Sequence, residues 1–252
     1  MTARITPLRL EAFEQLPKHA RRCVYWEVDP LTLGGDAQLS DPEFEKEAWL
    51  SMVMLEWGSC GQLAIDCRDA TPGGEPVGIT GDEPCLGYIF YAPPRSVPRA
   101  GRFPTGPVSA DAVLLTTLGI EAGQAAQELS TTLITAVVAD LVRRGVRALE
   151  AFGRTAEVAE LDDPAHRPTD CAPVLDVLGD CSIEQCVLDS DLLLDAGFVV
   201  VSHHTYFPRL RLELEQGLGW KADVEAALER LLQSAQLQTV GSGGGAATIE
   251  CV

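Results

Sequence analysis

The stretch from Asp111 to Gly153 constrains the fold more than any other part of the chain. It opens with the apolar run "AVLLTTLGI" (Ala112 to Ile120), which reads as a strand, and continues into an amphipathic helix from about Ser130 to Arg144. Gly145 ends that helix, and Arg143 and Arg144 suit its negative C-terminal end. "VRALEAFG" (Val146 to Gly153) is a second strand. A strand, a helix and a strand in that order need a crossover connection, which joins parallel strands and is right-handed. The loop before the helix therefore falls at the carboxyl end of a parallel strand, where open α/β sheets bind their ligands.

That loop, "GIEAGQAAQELS" (Gly119 to Ser130), looks like the lip of a phosphate cradle. A cradle offers successive backbone N–H groups from residues without a bulky Cβ, followed by the positive end of a helix dipole. Here the glycines stop early, and Glu128 stands where phosphate should come.

The remaining chain mixes strands and helices without an internal repeat. Pro7 to Arg21 begins as a short strand and continues as an amphipathic segment. Asp41 to Gly58 has the cap, the acidic first turn and the apolar spacing of a helix whose buried side is Phe44, Trp49, Met52 and Val53. "CGQLAIDC" and "CLGYIFYAPP" read as an antiparallel pair separated by the Gly- and Pro-rich residues 68–84. A polar insertion spans Arg154 to Asp180. It is followed by a short helix within Glu184 to Gly197 and by two strands, "FVVVSHH" and "RLRLELE". Domain boundaries are expected at residues 1–215 for the main body, 216–235 for an amphipathic helix built on Trp220 to Ala235, and 236–252 for a flexible Gly-rich tail.

A formal net charge of -18 repels phosphate backbones and anionic lipid, and no basic patch offsets it, so neither nucleic acid nor a membrane is an expected partner. No apolar stretch reaches the length of a membrane span, and a cytoplasmic protein is expected. The chain has eight cysteines but no C-x-x-C pair. Cys181 and Cys186, with Cys171 and His166 upstream, could be gathered into a zinc site. The weak spacing favours reduced, partly buried thiols instead, and no metal is expected.

"DAVLLTTLGI", "VADLVRRGVRALEAFG" and "LLLDAGFVVVSHHTYFPRLRLEL", in that order, resemble the GNAT superfamily of acyl-CoA-dependent N-acyltransferases over roughly Thr6 to Glu215. The resemblance implies an α/β (α+β) fold: a mixed, mostly antiparallel central sheet with a splayed parallel strand pair, flanked by helices. It also implies acetyl-CoA as co-substrate, held between Val113–Ile120 and Val146–Phe152. Main-chain groups of Leu118, Gly119 and Ile120 would hold the pantetheine arm. The pyrophosphate would lie on Gln124, Ala125, Ala126, Gln127, Glu128, Leu129 and Ser130. The family pattern there is Arg or Gln, two residues, Gly, one residue, Gly or Ala. In register it falls on Ala125, Glu128 and Ser130, and each position departs from it.

Where the family often places a tyrosine acid, in the helix before the closing hairpin, this chain has Leu193. Glu150 on the second parallel strand is the nearest candidate base, the alternative being a solvated strand residue. In the closing hairpin, which helps wall the acceptor pocket in this family, His203, His204 and Tyr206 could orient or deprotonate an amine. Adjacent strand residues face opposite ways, so at most one histidine faces a site. Glu27, beside Tyr25 and Trp26, could bind the amine, or the aromatic pair could simply close one end of the core. Arg95, Arg99 and Arg102 could meet an acidic partner or sit on a solvated connector. The expected function is direct acetyl transfer to a small-molecule or protein amine, which the acidic surface would steer if cationic. The alternative is a catalytically inactive binding or regulatory module. The family often pairs through its closing strands or C-terminal elements, so a homodimer is one expectation.

Overall fold

A computed structural model describes residues 3–29, 31, 39–66, 84–121, 126–163, 167–176 and 181–214. β1 (Ala3–Pro7) leads through a 3-10 turn at Leu10–Gln15 to α1 (Lys18–Arg22) and α2 (Pro42–Trp57). β2 (Gly61–Asp66), β3 (Cys85–Ala92) and β4 (Ala112–Ile120) follow, then α3 (Ala126–Arg143) and β5 (Ala148–Arg154). The insertion carries a 3-10 stretch at Ala156–Asp162, α4 (Ala172–Leu175) and α5 (Ile183–Cys186). The chain closes with β6 (Leu188–Asp189), α6 (Ser190–Asp195), β7 (Val199–Ser202) and β8 (Arg209–Glu213).

The strands form one sheet in the order β1-β2-β3-β4-β5-β8-β7, with β6 also on β5. Its pairs are antiparallel except β4 with β5 and β5 with β6. This is the mixed sheet with one splayed parallel pair that the resemblance implies. Core residues fill both faces. On one, Leu129, Leu133, Val137 and Leu141 of α3 pack with Ile89, Leu115 and Leu149. On the other, Trp49, Leu50 and Val53 of α2 share a cluster with Leu63, Phe90 and Leu114. Parallel strands buried on both faces need such continuous apolar runs.

α2 starts where its cap predicts: Asp41 accepts from the Phe44 N–H at 3.1 Å, and Pro42 occupies the first turn. Its buried face is Lys46, Trp49, Leu50 and Val53, whereas Phe44 and Met52, expected inside, are 63% and 48% exposed. The inward stripe includes Lys46 because Glu27 waits for it in the core. An apolar count that excludes lysine rotates the helix away from its true orientation.

α3 begins at Ala126, ahead of the expected start at Ser130, so Ala126 to Ser130 are helix and not loop. Ala, Gln and Glu are strong helix formers, and Glu128 suits the positive first turn. Gly145, at φ +76°, terminates it. The single helix expected over Glu184 to Gly197 is interrupted: Leu188 and Asp189 pair with Gly153 and Arg154 at β5, and Asp189 then caps α6 by accepting from the Asp191 N–H at 2.9 Å. The expected helix Trp220 to Ala235, the tail 236–252, the Gly- and Pro-rich stretch up to residue 83 and the boundaries placed after residue 215 lie outside the described residues. Among the described residues no helix is long and apolar enough to cross a membrane.

Candidate functional site

β4 and β5 pair only from Ala112 with Ala148 to Leu114 with Glu150, and then part. At the parting point β4 carries a bulge: β3 pairs Phe90 with Thr117 and Tyr91 with Leu115, leaving Thr116 as the extra residue. The Thr116 hydroxyl donates to the Phe90 carbonyl at 3.1 Å. Further along, the Glu121 N–H donates to the Leu86 carbonyl at 2.8 Å, so Glu121 turns its main chain toward β3. By strand alternation Gly119 and Thr117 also face β3, and Leu118 and Ile120 turn their N–H and C=O groups toward the gap. Leu118, Gly119 and Ile120 are half-buried. The result is a strand edge that β5 leaves without a partner, running toward the N-terminus of α3.

The first turn of α3 presents helix N–H groups, which favour an anion. The hydroxyls of Ser130, Thr131 and Thr132 donate back to the carbonyls of Ala126, Gln127 and Glu128 at 2.7, 3.0 and 2.7 Å. Gln127 and Glu128 are exposed, whereas Leu129 and Ser130 are buried. Gln124 and Ala125 lie outside the described residues.

Tyr88, which no sequence pattern singles out, borders the gap. A Cβ placed on Gly119 would lie 2.4 Å from the Tyr88 ring and 2.6 Å from its hydroxyl oxygen, so the phenol lies directly against β4 where it borders the gap. Burial raises the pKa of Tyr88, and nearby Cys23 and Glu121 add to the rise, which keeps the phenol protonated. Alternation in "CLGYIFYA" puts Tyr88 on the Phe90 face, but nothing local marks it as adjoining the gap.

The side chains expected to act as acid, base or acceptor ligands are held elsewhere. Glu150 is fully buried and not solvated. It accepts from Arg209 at 2.6 Å, from Arg211 at 3.0 Å and from the Ser109 N–H at 3.0 Å. Desolvation works against its charge, but the bonds from Ser109, Arg209 and Arg211 outweigh it and hold the pKa below the usual carboxylate range. A carboxylate gripped on both oxygens and biased to stay ionised is a poor base, so the geometry replaces the expected catalytic role with a brace between β5 and β8.

The Tyr206 hydroxyl donates to Glu160 at 3.3 Å, and its pKa is raised by partial burial and by that carboxylate. His203 is exposed. His204 accepts on Nδ1 from the N–H groups of Tyr206 and Phe207 at 3.1 and 3.0 Å, while its Nε2 stands 3.5 Å from Asp170. Nδ1 thus serves the hairpin turn and Nε2 faces the insertion.

Glu27 is paired with Lys46, and both side chains are 2% exposed. The Lys46 ammonium also lies 4.5 Å from the Phe90 ring centroid. The amine that Glu27 holds is the chain's own. Tyr25 and Trp26 close the core, as the alternative for them had it: Trp26 stacks on Phe103 at 5.0 Å. The arginines divide. Arg99 is buried and donates to the carbonyls of Tyr25 and Pro173 at 3.0 and 2.9 Å. Arg102 pairs with Asp29 at 2.6 Å, and Arg95 is exposed. Leu193 is wholly buried. The insertion is stapled over this region, because Tyr25 donates to the Val174 carbonyl and the Trp26 indole to the Cys186 carbonyl, each at 2.8 Å.

No family model matches the sequence, and no curated protein matches it. Among solved structures the chain is similar to the PaiA N-acetyltransferase of Thermoplasma acidophilum in complex with coenzyme A, at 11% identity and a TM-score of 0.44, covering 84% of this chain and 99% of that one. It is similar to a GNAT superfamily phosphinothricin acetyltransferase from Sinorhizobium meliloti in complex with AcCoA, at 14% identity and a TM-score of 0.44, covering 87% and 92%. A third is the ribosomal-protein-S18-alanine N-acetyltransferase of Escherichia coli, at 11% identity and a TM-score of 0.37, covering 86% and 96%.

Proposed function

We propose that the chain binds acetyl-CoA in the gap between β4 and β5 and transfers the acetyl group directly to an amine. The observation that carries this reading is the edge of β4 beyond Leu114, which carries a bulge at Thr116 and is left unpaired by β5. Buried main-chain groups need partners, and an extended pantetheine arm can add to Leu118 and Ile120 as a further strand would. A bulge turns main-chain groups out of the ladder, so an N–H there can polarise the thioester carbonyl. The first turn of α3 faces the pyrophosphate, with Ala126, Gln127 and Glu128 supplying helical N–H groups.

In the transfer the amine nitrogen attacks the carbonyl carbon, the C–S bond breaks, and the sulfur leaves as a thiolate. Tyr88, whose phenol lies against β4 at Gly119, donates a proton to that thiolate and recovers one from the amine by way of water. Water takes the role of base because Glu150, Tyr206, His204 and Glu27 are engaged with their own chain. The formal charge of -18 favours a cationic acceptor, either a small molecule or a protein amine.

The same engaged side chains favour a second reading, an acyl-CoA-binding module without catalysis. Titration calorimetry with acetyl-CoA, followed by thiol release in the presence of a panel of amines, separates the two. Binding with amine-dependent release supports the enzyme, and binding without release supports the module. An absence of binding removes acetyl-CoA from the gap and overturns both.

A further inference from the structure

The sulfurs of Cys23, Cys181 and Cys186 and a ring nitrogen of His19 all lie within 4.8 Å of one another. His19 and Cys23 stand one helical turn apart, with the Cys23 N–H donating to the His19 carbonyl at 2.8 Å, so that both side chains leave the same face of α1. Cys181 precedes α5 and Cys186 is its last residue, and α5 packs beside β4. The two halves come from distant parts of the chain, since 163 residues separate Cys23 from Cys186.

We infer that this cluster is a structural zinc(II) site with one imidazole and three thiolate ligands. Zn–S bonds of about 2.3 Å place tetrahedral sulfurs about 3.8 Å apart. The sulfurs of Cys23 and Cys186 are 3.5 Å apart, near that edge and far beyond the roughly 2.05 Å of a disulfide. Among the described residues, His19 Nε2 is buried and has no hydrogen-bond partner. Cys23 and Cys186 are buried and Cys181 is half-buried, so few of these donors can satisfy themselves with water.

Four protein ligands close the coordination shell and leave no position for water, so the ion braces the fold and does not activate a nucleophile. It ties α1 to the insertion, beside the contacts that Tyr25 and Trp26 already make there. This replaces the expectation of no metal. It also regroups the thiols: Cys171 lies instead with Asp170 and His204, a three-residue cluster in which both histidine nitrogens are engaged, and His166 is outside the described residues. The inference is independent of acetyl-CoA.

The test uses the full chain purified under reducing conditions without added metal. Elemental analysis should find about one zinc per chain, and cobalt(II) exchanged into the site should give the intense visible bands of a tetrahedral centre with thiolate-to-cobalt charge transfer in the near ultraviolet. His19→Cys should keep the tetrahedral spectrum and strengthen the charge transfer. Cys181→Ser should weaken it and loosen the metal by at least tenfold, and Cys171→Ser should change neither. Should Cys181→Ser fail to fold, the wild-type and His19→Cys spectra still decide. Metal-free protein whose cobalt spectrum is octahedral and weak overturns the site, as does a Cys23–Cys186 disulfide found in the reduced preparation.

Discussion

Replacing Lys46 with Met removes the counter-charge of Glu27 while keeping a side chain of similar length. Both members of the pair are 2% exposed, so the carboxylate left behind has neither water nor a cation. It escapes by taking up a proton. Forcing a carboxyl with an unfolded pKa of about 4.3 to protonate at pH 7 costs about 3.7 kcal/mol, which is the ceiling on this part of the loss. The lost ammonium above Phe90, 4.5 Å from the ring centroid, adds about 0.5–1 kcal/mol, partly offset by the apolar thioether. The expected destabilisation is thus about 3–4 kcal/mol at pH 7, within the range for breaking a buried pair.

The pH dependence is the sharper part. At pH 5 the protonation cost falls to about 1 kcal/mol, so the deficit should shrink by about 2.7 kcal/mol. In Lys46→Met the folded pKa of Glu27 lies above the unfolded one. Stability is then fully present below the unfolded value and is lost as pH rises through the folded one. In the wild type burial already raises this pKa and Lys46 opposes the rise, so the trend has the same sign and is smaller. Urea unfolding at pH 5 and 7, with each variant compared with wild type at the same pH, cancels titrations common to both. The double variant Glu27→Leu/Lys46→Met should recover most of the loss. A deficit equal at the two pH values, or below about 1 kcal/mol at pH 7, would refute the buried pair and reopen Glu27 to an external amine.

Glu150→Gln should destabilise by about 2–4 kcal/mol, since it leaves two guanidinium groups without their buried anion. The Glu150 pKa is depressed on folding, so its stabilisation is present above the unfolded value and is lost as pH falls through the folded one; urea melts from pH 3 to 7 should show a weaker acid dependence in the variant. Gly119→Ala drives a Cβ to 2.4 Å from the Tyr88 ring, so Tyr88 or β4 must shift; a thermal melt should report a loss of about 1–3 kcal/mol, and calorimetry a weaker grip on acetyl-CoA. Glu128→Gln removes an exposed carboxylate from the first turn of α3. It should cost about 0.3–1 kcal/mol of stability and improve acetyl-CoA affinity by no more than about threefold, an improvement that disappears at high salt in calorimetry at two ionic strengths.

The crossover from β4 through α3 to β5 was legible because every signal for it is local: apolar runs of strand length, helical spacing between them and a glycine stop at Gly145. The pairing of "CGQLAIDC" with "CLGYIFYAPP" was legible for the same reason. Errors begin where a polar residue is set by a distant partner. Lys46 turns α2 because of Glu27, 19 residues earlier, and no periodicity within the helix contains that fact. Glu150 alternates like a solvated strand residue, yet Arg209, 59 residues on, covers it. Arg99 looks like part of an exposed basic loop, but the Pro173 carbonyl, 74 residues on, accepts from it in the interior. For the cysteines, "HARRC" and "CSIEQC" each hold half of a ligand set, and neither half has the tight spacing by which a zinc motif is normally read.

These cases share a cause that bears on function. A buried charge must be paired or its cost is several kcal/mol, so a chain that inserts a long segment between β5 and β6 has to supply partners wherever that segment crosses polar groups. Tyr25, Trp26 and Arg99 do so by donating to carbonyls of the insertion, and His19 and Cys23 do so through the cluster with Cys181 and Cys186. Polar side chains that stand out in the sequence, Glu27, Glu150 and His204 among them, are in this way committed to holding elements together. Among the described residues, β5 leaves unpaired the main-chain edge of β4 from the bulge at Thr116 to Ile120, which leads toward the first turn of α3. Backbone donors carry no side-chain identity, so a site built from them leaves little trace in residue type. Departures at Ala125, Glu128 and Ser130 from the family's loop pattern therefore weigh less against acetyl-CoA than a lost catalytic side chain would. The side chain to test is then Tyr88, which is singled out only by the strand that lies beside it.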